Sequence, residues 1–234
     1  MRELSRRREP VYVLGVGGVV VPLLSLWFRW TIEGSENVPR RGPAILACNH
    51  ISYLDPLAMG YAVHRAGRRP RFLAKAELFE DRLLGWALRA TGQIEVARGT
   101  ARASQALDRA VAALGRGEVV LIFPEGTVTT DPELKPMPAR SGTVRLALRS
   151  GAPLIPCAVW GTANIWPKGP YRSSWRPRQD VLVRIGAPME VAGDPDSPHD
   201  WRMSGERITA EIGRLVASLK PVVPDRRRPL EKSA

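Results

Sequence analysis

A chain of 234 residues, 44% hydrophobic and 25% charged, is long enough for one well-buried domain, too short for two comfortable ones, and too apolar to be disordered. Its formal charge of +12 favours polyanionic partners (nucleic acid, anionic lipid headgroups or phosphorylated substrates), and arginines gather at Arg6–Arg8, Arg65–Arg71 and Arg226–Arg228. No helix-turn-helix, RNP-type aromatic motif or zinc-finger spacing accompanies them, so nucleic acid is not the expected partner.

Residues 1–30 are expected to be a unit of their own, a basic N-terminus followed by an apolar membrane anchor. Val11–Phe28 carries no charge, and as a helix rising about 1.5 Å per residue it would extend about 27 Å, close to a bilayer core. Gly15, Gly17, Gly18 and Pro22 oppose a straight rigid span, while Trp27, Arg29 and Trp30 suit an interfacial position. A spanning or half-inserted anchor is the expectation. A buried core helix and a signal peptide are the alternatives, the second opposed by the length of the run and the absence of a small-x-small cleavage site. The preceding arginines favour a cytoplasmic N-terminus, and a monotopic anchor fits equally well.

Residues 31–220 read as one domain in which strands alternate with helices. Ala44–Cys48 is a short strand, and Asp55-Pro56 has the form of an N-cap and first helical residue opening a helix to about His64. A strand at Arg71–Ala74, a helix at Arg82–Ala90 and a strand at Gln93–Val96 follow. Ala101–Leu114 is amphipathic, with Leu107, Ala110, Val111 and Leu114 on one face and Gly115 and Gly117 ending it. Val119–Phe123 is apolar on every side and predicts a central strand. A proline-rich loop at residues 131–138 leads to a helix at Thr143–Arg149, strands at Leu154–Trp160 and Val181–Ile185, and a last helix at Trp201–Leu219. Residues 221–234 are basic and proline-containing, and are expected to form a disordered tail. The pattern predicts a layered α/β domain with a mainly parallel sheet flanked by helices. Cys48 and Cys157 fall in apolar runs and read as reduced, buried thiols, which fits a reducing cytosol and gives neither a disulfide framework nor a metal site.

Three polar groups fall at successive strand ends. In CNHISYLDP, residues 48–56, a five-residue gap would place His50 and Asp55 about 140° apart on one helix at about 100° per residue. Across a strand-to-helix turn, braced by Asn49 and Ser52, they can meet, and the carboxylate would then fix the imidazole tautomer. A satisfied structural histidine is the competing reading. FPEGT, Phe123–Thr127, sets Glu125 in a turn after the central strand, and GQIEVAR, Gly92–Arg98, sets Arg98 after another; a solvated glutamate and a surface arginine are the plain alternatives. Cys48 lies two residues before His50, and a small buried residue is favoured over a nucleophile there.

Taken together, NHISYLD resembles the NHx₄D motif of the lysophosphatidate (1-acylglycerol-3-phosphate) acyltransferase family of bacterial type. FPEGT resembles that family's third block, GQIEVAR its second and PLIPCAV (Pro153–Val159) its fourth, in the family's order over roughly residues 31–190. The resemblance implies a glycerolipid-acyltransferase-like fold and an enzyme that moves a fatty acyl group from acyl-CoA or acyl carrier protein to a lysophosphatidate-like acceptor. It implies His50 as general base, Asp55 as its orienting partner, and Arg98 as the ligand of the acceptor phosphate. Glu125, Gly126 and Thr127 would shape the acceptor site, Glu125 bonding a glycerol hydroxyl, with Lys75 and Arg140 as further phosphate contacts. Glu95, three residues before Arg98, and Arg140, where lysine is frequent, depart from the pattern. No metal and no cofactor are implied beyond the thioester substrate. The expected partner is an anionic membrane surface, on the cytoplasmic face of the cell membrane. Another lysophospholipid or glycolipid acceptor, or a basic membrane- or nucleic-acid-binding protein without activity, are the competing functions.

Overall fold

The computed structural model describes residues 11–97 and 102–230. Three apolar runs form its centre: β2 (Ala44–Cys48), β5 (Val119–Ile122) and β6 (Leu154–Trp160), each buried at every residue. That is the signature of parallel strands covered on both faces. β2 pairs in parallel with β5 on one side and β6 on the other. Beyond β5 lie β3 (Pro70–Lys75) and β4 (Ile94–Val96), also parallel. Beyond β6 lies β8 (Gln179–Ile185), antiparallel to it, followed by β1 (Phe28–Glu33), parallel to β8. The order of the seven-stranded sheet is thus β1-β8-β6-β2-β5-β3-β4. The expected mainly parallel α/β architecture is present, with β1 and β8 reversed.

Helices cover both faces. α2 (Asp55–Arg65) lies on one, where Tyr61 stacks on Trp30 of β1 with ring centroids 4.1 Å apart. On β8, Val181 pairs with Trp30 and Arg184 stands three residues on, so Arg184 points to the other face and meets Ser218 of α7 (Pro198–Leu219). α5 (Arg102–Gly115) and α6 (Ser141–Ser150) pack beside α7 in turn. α7 starts earlier than its apolar periodicity suggested, because the Ser197 hydroxyl accepts from the Asp200 N–H and Pro198 suits the first turn. A short α3 (Glu77–Glu80) and α4 (Arg82–Ala90) link β3 to β4.

The N-terminal segment differs from a simple anchor. A π-helical stretch, Val11–Val20, runs into α1 (Val21–Trp27), and no helix among the described residues is long and apolar enough to cross a membrane. The segment lies along α2: the Tyr12 hydroxyl is 3.4 Å from His64 Nδ1, and the Ser25 hydroxyl 2.9 Å from that of Tyr61. Phe28–Glu33 forms a strand because FRWTIE alternates and Phe28 and Trp30 bury against the domain. Trp30 donates its Nε1–H to Leu24 O at 2.7 Å, and Arg29 forms a bidentate pair with Asp180 at 2.8 Å, so neither is committed to a lipid interface.

The C-terminal segment is also more structured than its composition suggested. Trp160 donates to Val223 O at 2.7 Å, and β9 (Arg228–Pro229) pairs with β7 (Tyr171–Arg172). Arg227 forms an ion pair with Asp225 and lies over the Tyr171 ring. Residues 221–230 are held because their polar and basic groups find specific partners on the domain.

Candidate active site

The registers Ala47↔Ile122 and Cys48↔Cys157 bring the C-terminal ends of β5 and β2 level, while β6 runs on beside them to Trp160. Open α/β sheets place their sites at such an edge. Asn49 extends β2 by one step: its Oδ1 accepts from Val159 N at 2.8 Å and its Nδ2 donates to Val159 O at 3.0 Å, copying a strand pair with a side chain. The next residue, His50, leaves the sheet.

Asp55 is the first residue of α2 and not its N-cap; Leu54 holds that position and makes no side-chain cap. The Asp55 carboxylate folds back into the turn instead. Its Oδ2 accepts from Ile51 N at 2.6 Å and Ser52 N at 2.8 Å and lies 2.9 Å from His50 Nδ1, while Oδ1 accepts from the Thr162 hydroxyl at 2.6 Å. The group is wholly buried, so these four donors replace the water it has lost. A carboxylate oxygen already accepting two N–H bonds takes the imidazole as a third donor, which puts the His50 proton on Nδ1 and leaves Nε2 as the ring's acceptor. The ring stacks on Phe123, centroids 4.2 Å apart, and its side chain is 15% exposed. An imidazole held in this way can act as a base toward a hydroxyl.

Glu125 sits beneath this pair, only 4% exposed. Its Oε1 accepts from His50 N at 2.8 Å and its Oε2 from Met137 N at 3.1 Å. Burial pushes the carboxyl up to about 7, outweighing the two N–H donors, which pull it down. Each oxygen therefore has a backbone partner, and Glu125 braces the loops to either side. The His50 carbonyl completes the join by accepting from Thr129 N at 2.6 Å. Gly126 has φ 74°, and a Cβ there would lie 2.8 Å from Arg140 Nε, so only glycine suits both the turn and the neighbour. Arg140 donates from Nε to Glu125 O at 3.1 Å and from its backbone N to Pro124 O at 2.9 Å. Thr127, half-buried, ends the same turn.

His50, Asp55, Glu125, Gly126, Thr127 and Arg140 thus come together. Lys75 is exposed at the end of β3, two strands from β2. Arg98 lies outside the described residues. Cys48 is fully buried, which pushes its thiol well above the usual range, and its Sγ donates to Asn49 Oδ1 at 3.4 Å; this is packing, not a nucleophile. Among the described residues no group of three or more His, Cys, Asp or Glu could hold a metal ion.

Three contributors had escaped the sequence. Thr162 holds Asp55 from a turn after β6. Phe123 supplies the surface on which the imidazole rests. Lys168 donates to Val128 O at 2.9 Å, adding an ammonium group beside the FPEGT loop. Neither Thr162, two residues past the end of β6, nor Lys168, in an irregular loop, offered a local signal of its partner.

The Acyltransferase family profile matches residues 29–160, which span β1 to β6 and every residue of the His50 site up to the end of β6. Among curated relatives, a chloroplast 1-acyl-sn-glycerol-3-phosphate acyltransferase of Arabidopsis thaliana is 31% identical over 61% of this chain and 39% of its own length. A similar chloroplast protein of Brassica napus has 40% of its length covered, so the chain spans about two fifths of these relatives. The 1-acyl-sn-glycerol-3-phosphate acyltransferase of Bacillus subtilis is 29% identical, over 85% of this chain and 92% of that one. The crystal structure of the lysophosphatidate acyltransferase PlsC from Thermotoga maritima superposes with a TM-score of 0.63 at 26% identity, covering 94% of this chain and 79% of the other. With the profile spanning more than half the sequence and the fold shared with a solved relative, this chain belongs to the acyltransferase family.

Proposed function

We propose that the chain transfers a fatty acyl group from an acyl thioester, acyl-CoA or acyl carrier protein, to the free hydroxyl of 1-acylglycerol-3-phosphate, giving phosphatidate. The single observation that carries this is the His50–Asp55 pair: a buried carboxylate 2.9 Å from Nδ1 of an imidazole that is 15% exposed at a sheet edge. Similarity to named 1-acyl-sn-glycerol-3-phosphate acyltransferases supports the choice of acceptor.

His50 Nε2 takes the acceptor's hydroxyl proton as that oxygen bonds to the thioester carbonyl carbon. The tetrahedral adduct then collapses, the carbon–sulfur bond breaks, and the imidazolium returns the proton to the leaving thiolate. Asp55 stabilises the transient imidazolium without taking its proton. No acyl-enzyme is needed. Arg98 is assigned to the acceptor phosphate, for which a guanidinium offers bidentate geometry, with Lys75 and Arg140 as further cations. Glu125 enters as a positioning residue through the His50 backbone. The N-terminal segment would rest in one leaflet at the cytoplasmic face of the cell membrane, since it packs on α2 along one side and leaves Leu26 81% exposed on the other.

Thiol release from acyl-CoA in the presence of lysophosphatidate, with product regiochemistry determined, tests the reaction. His50→Ala is expected to abolish transfer while vesicle binding survives. Undiminished turnover in that variant would exclude His50 as the base, and thiol release without acylated product would exclude the acceptor.

A further inference from the structure

α4 is an amphipathic helix mounted the wrong way round for a soluble protein. Leu83 is 76% exposed and Trp86 57%, with Leu84 exposed beside them. At about 100° per residue, Leu83, Leu84, Trp86, Ala87 and Ala90 share one broad arc, while Arg82 and Arg89 border it. The side turned to the protein is that of Gly85, where any Cβ would collide with the Phe79 carbonyl.

This orientation is built, not loose. The Asp81 side chain caps the helix by accepting from Leu83 N at 3.0 Å and Leu84 N at 2.8 Å. Arg89 donates to Phe79 O at 2.8 Å, locking α4 onto α3, and Phe79 is buried beneath. The hairpin therefore holds its apolar arc outward, where among the described residues nothing covers it. An exposed apolar surface held in place marks an interaction site.

Its position selects the occupant. β3 delivers the chain to α3 at the same sheet edge where β2, β5 and β6 end at the His50 site. On the β8 side of the same edge stand the exposed Tyr53, on the turn after β2, and Trp166 and Trp175, in the segment between β6 and β8, in ring contact at 5.6 and 5.4 Å, while the exposed Leu26 of α1 precedes the far strand β1. The outer strands β4 and β1 of the seven stand about 29 Å apart at about 4.8 Å spacing, with the end of β2 that leads to His50 midway between them. An extended flat surface can touch both ends at once. On the α3–α4 hairpin itself Glu77, Glu80 and Asp81 offset Arg82 and Arg89, so it is the chain's overall charge of +12 that favours one that is anionic.

We propose that α4 is a second membrane-docking element: its Leu83–Trp86 face enters the headgroup–acyl boundary of an anionic bilayer, so that the lipid acceptor reaches His50 between α4 and the aromatic cluster. The proposal rests on the acyl-transfer reading only for the identity of that lipid. Docking tilts the edge bearing the site onto the membrane, and loss of α4 leaves a single-ended attachment.

Cys48 and Cys157 are fully buried, so a cysteine introduced as Leu83→Cys in the full chain can be labelled selectively with an environment-sensitive fluorophore. Arg41→Cys, exposed just before β2 at the opposite sheet edge, serves as the control. With vesicles of phosphatidylcholine and phosphatidylglycerol, the label at 83 is expected to shift to the blue and to be quenched by lipids spin-labelled along the acyl chain, while the label at 41 is not. A label at 83 that stays water-like on vesicle-bound protein overturns the proposal. So does a blue shift that needs no vesicles and grows with protein concentration, which would identify a second copy as the occupant, or one that appears only with acyl carrier protein. The double variant Leu83→Asp, Trp86→Asp is expected to lower vesicle partitioning roughly tenfold and to raise KM for vesicle-borne acceptor similarly. Turnover of a short-chain, water-soluble acceptor should be unchanged, and a loss there would mean damage to the site and sink the idea. If the acyl-transfer reading itself is wrong, neither acceptor turns over in the wild type, yet the fluorophore result stands.

Discussion

The backbone N–H of His50 donates to Glu125 Oε1 at 2.8 Å, while the other oxygen of that carboxylate accepts from Met137 N at 3.1 Å. The FPEGT glutamate is thereby placed behind His50, joining the loop that carries this histidine to the loop that follows β5. A glutamine keeps one acceptor and must point its NH₂ at one of the two N–H donors. Glu125→Gln is therefore expected to lower kcat by tens of fold with little change in acceptor KM, measured by steady-state thiol release. A raised KM with intact kcat would instead assign Glu125 to direct contact with the acceptor.

The same residue makes stability depend on pH. Its native carboxyl is raised to about 7 from an ordinary 4.5, so between those values the folded chain keeps a proton that the unfolded chain has released. The stabilisation is fully present below about 4.5 and is lost as pH rises through about 7. At about 1.4 kcal/mol per tenfold in proton affinity, the loss is about 3 kcal/mol. Urea midpoints at pH 5 and pH 8 should fall more in the wild type than in Glu125→Gln. Equal falls would show that Glu125 titrates normally.

Much of this was legible in the sequence, for reasons that differ by element. β2, β5 and β6 are short unbroken apolar runs, a length and pattern that suit strands buried on both faces. The His50–Asp55 pairing followed from spacing, since five residues forbid a shared helix face and allow a turn. The role of Asp55 in that turn was less legible: Asp-Pro suggests an N-cap, yet the carboxylate turns away from the helix to accept from Ile51 N and Ser52 N. β1 was hidden because Phe28 and Trp30 are apolar continuations of an apolar helix, and only tertiary pairing with β8 separates them. Thr162 was hidden because its partner lies 107 residues away, a distance over which no local pattern can report.

Thr162 offers a direct probe of the second hydrogen bond on Asp55. Its hydroxyl donates to Oδ1 at 2.6 Å in a site without solvent. Thr162→Val leaves that oxygen unsatisfied, which should cost about 1–3 kcal/mol in unfolding experiments. It should also lower kcat about tenfold, because a freed carboxylate holds the imidazole less firmly. Thr162→Ser retains the hydroxyl and is expected to recover most of the activity. If serine fails as valine does, packing of the methyl group, and not the hydrogen bond, sets the position of Asp55.

Gly126 tests how the acceptor side of the site is shaped. Two costs should meet in Gly126→Ala: alanine dislikes φ 74°, and its Cβ would stand 2.8 Å from Arg140 Nε. The backbone term is about 1–2 kcal/mol for a left-handed residue. The second term arises only if Arg140 stays where it is, donating to Glu125 O. In an Arg140→Ala background the guanidinium is gone, so Gly126→Ala should cost only the backbone term, whereas in the wild type it should cost more and displace Arg140 as well. The double-mutant cycle, read both in urea midpoints and in acceptor KM, separates the two. Coupling in KM as well as in stability would place Arg140 among the groups that hold the acceptor. Coupling in stability alone would make it a brace for the Glu125 turn and leave phosphate recognition to other cations at that sheet edge.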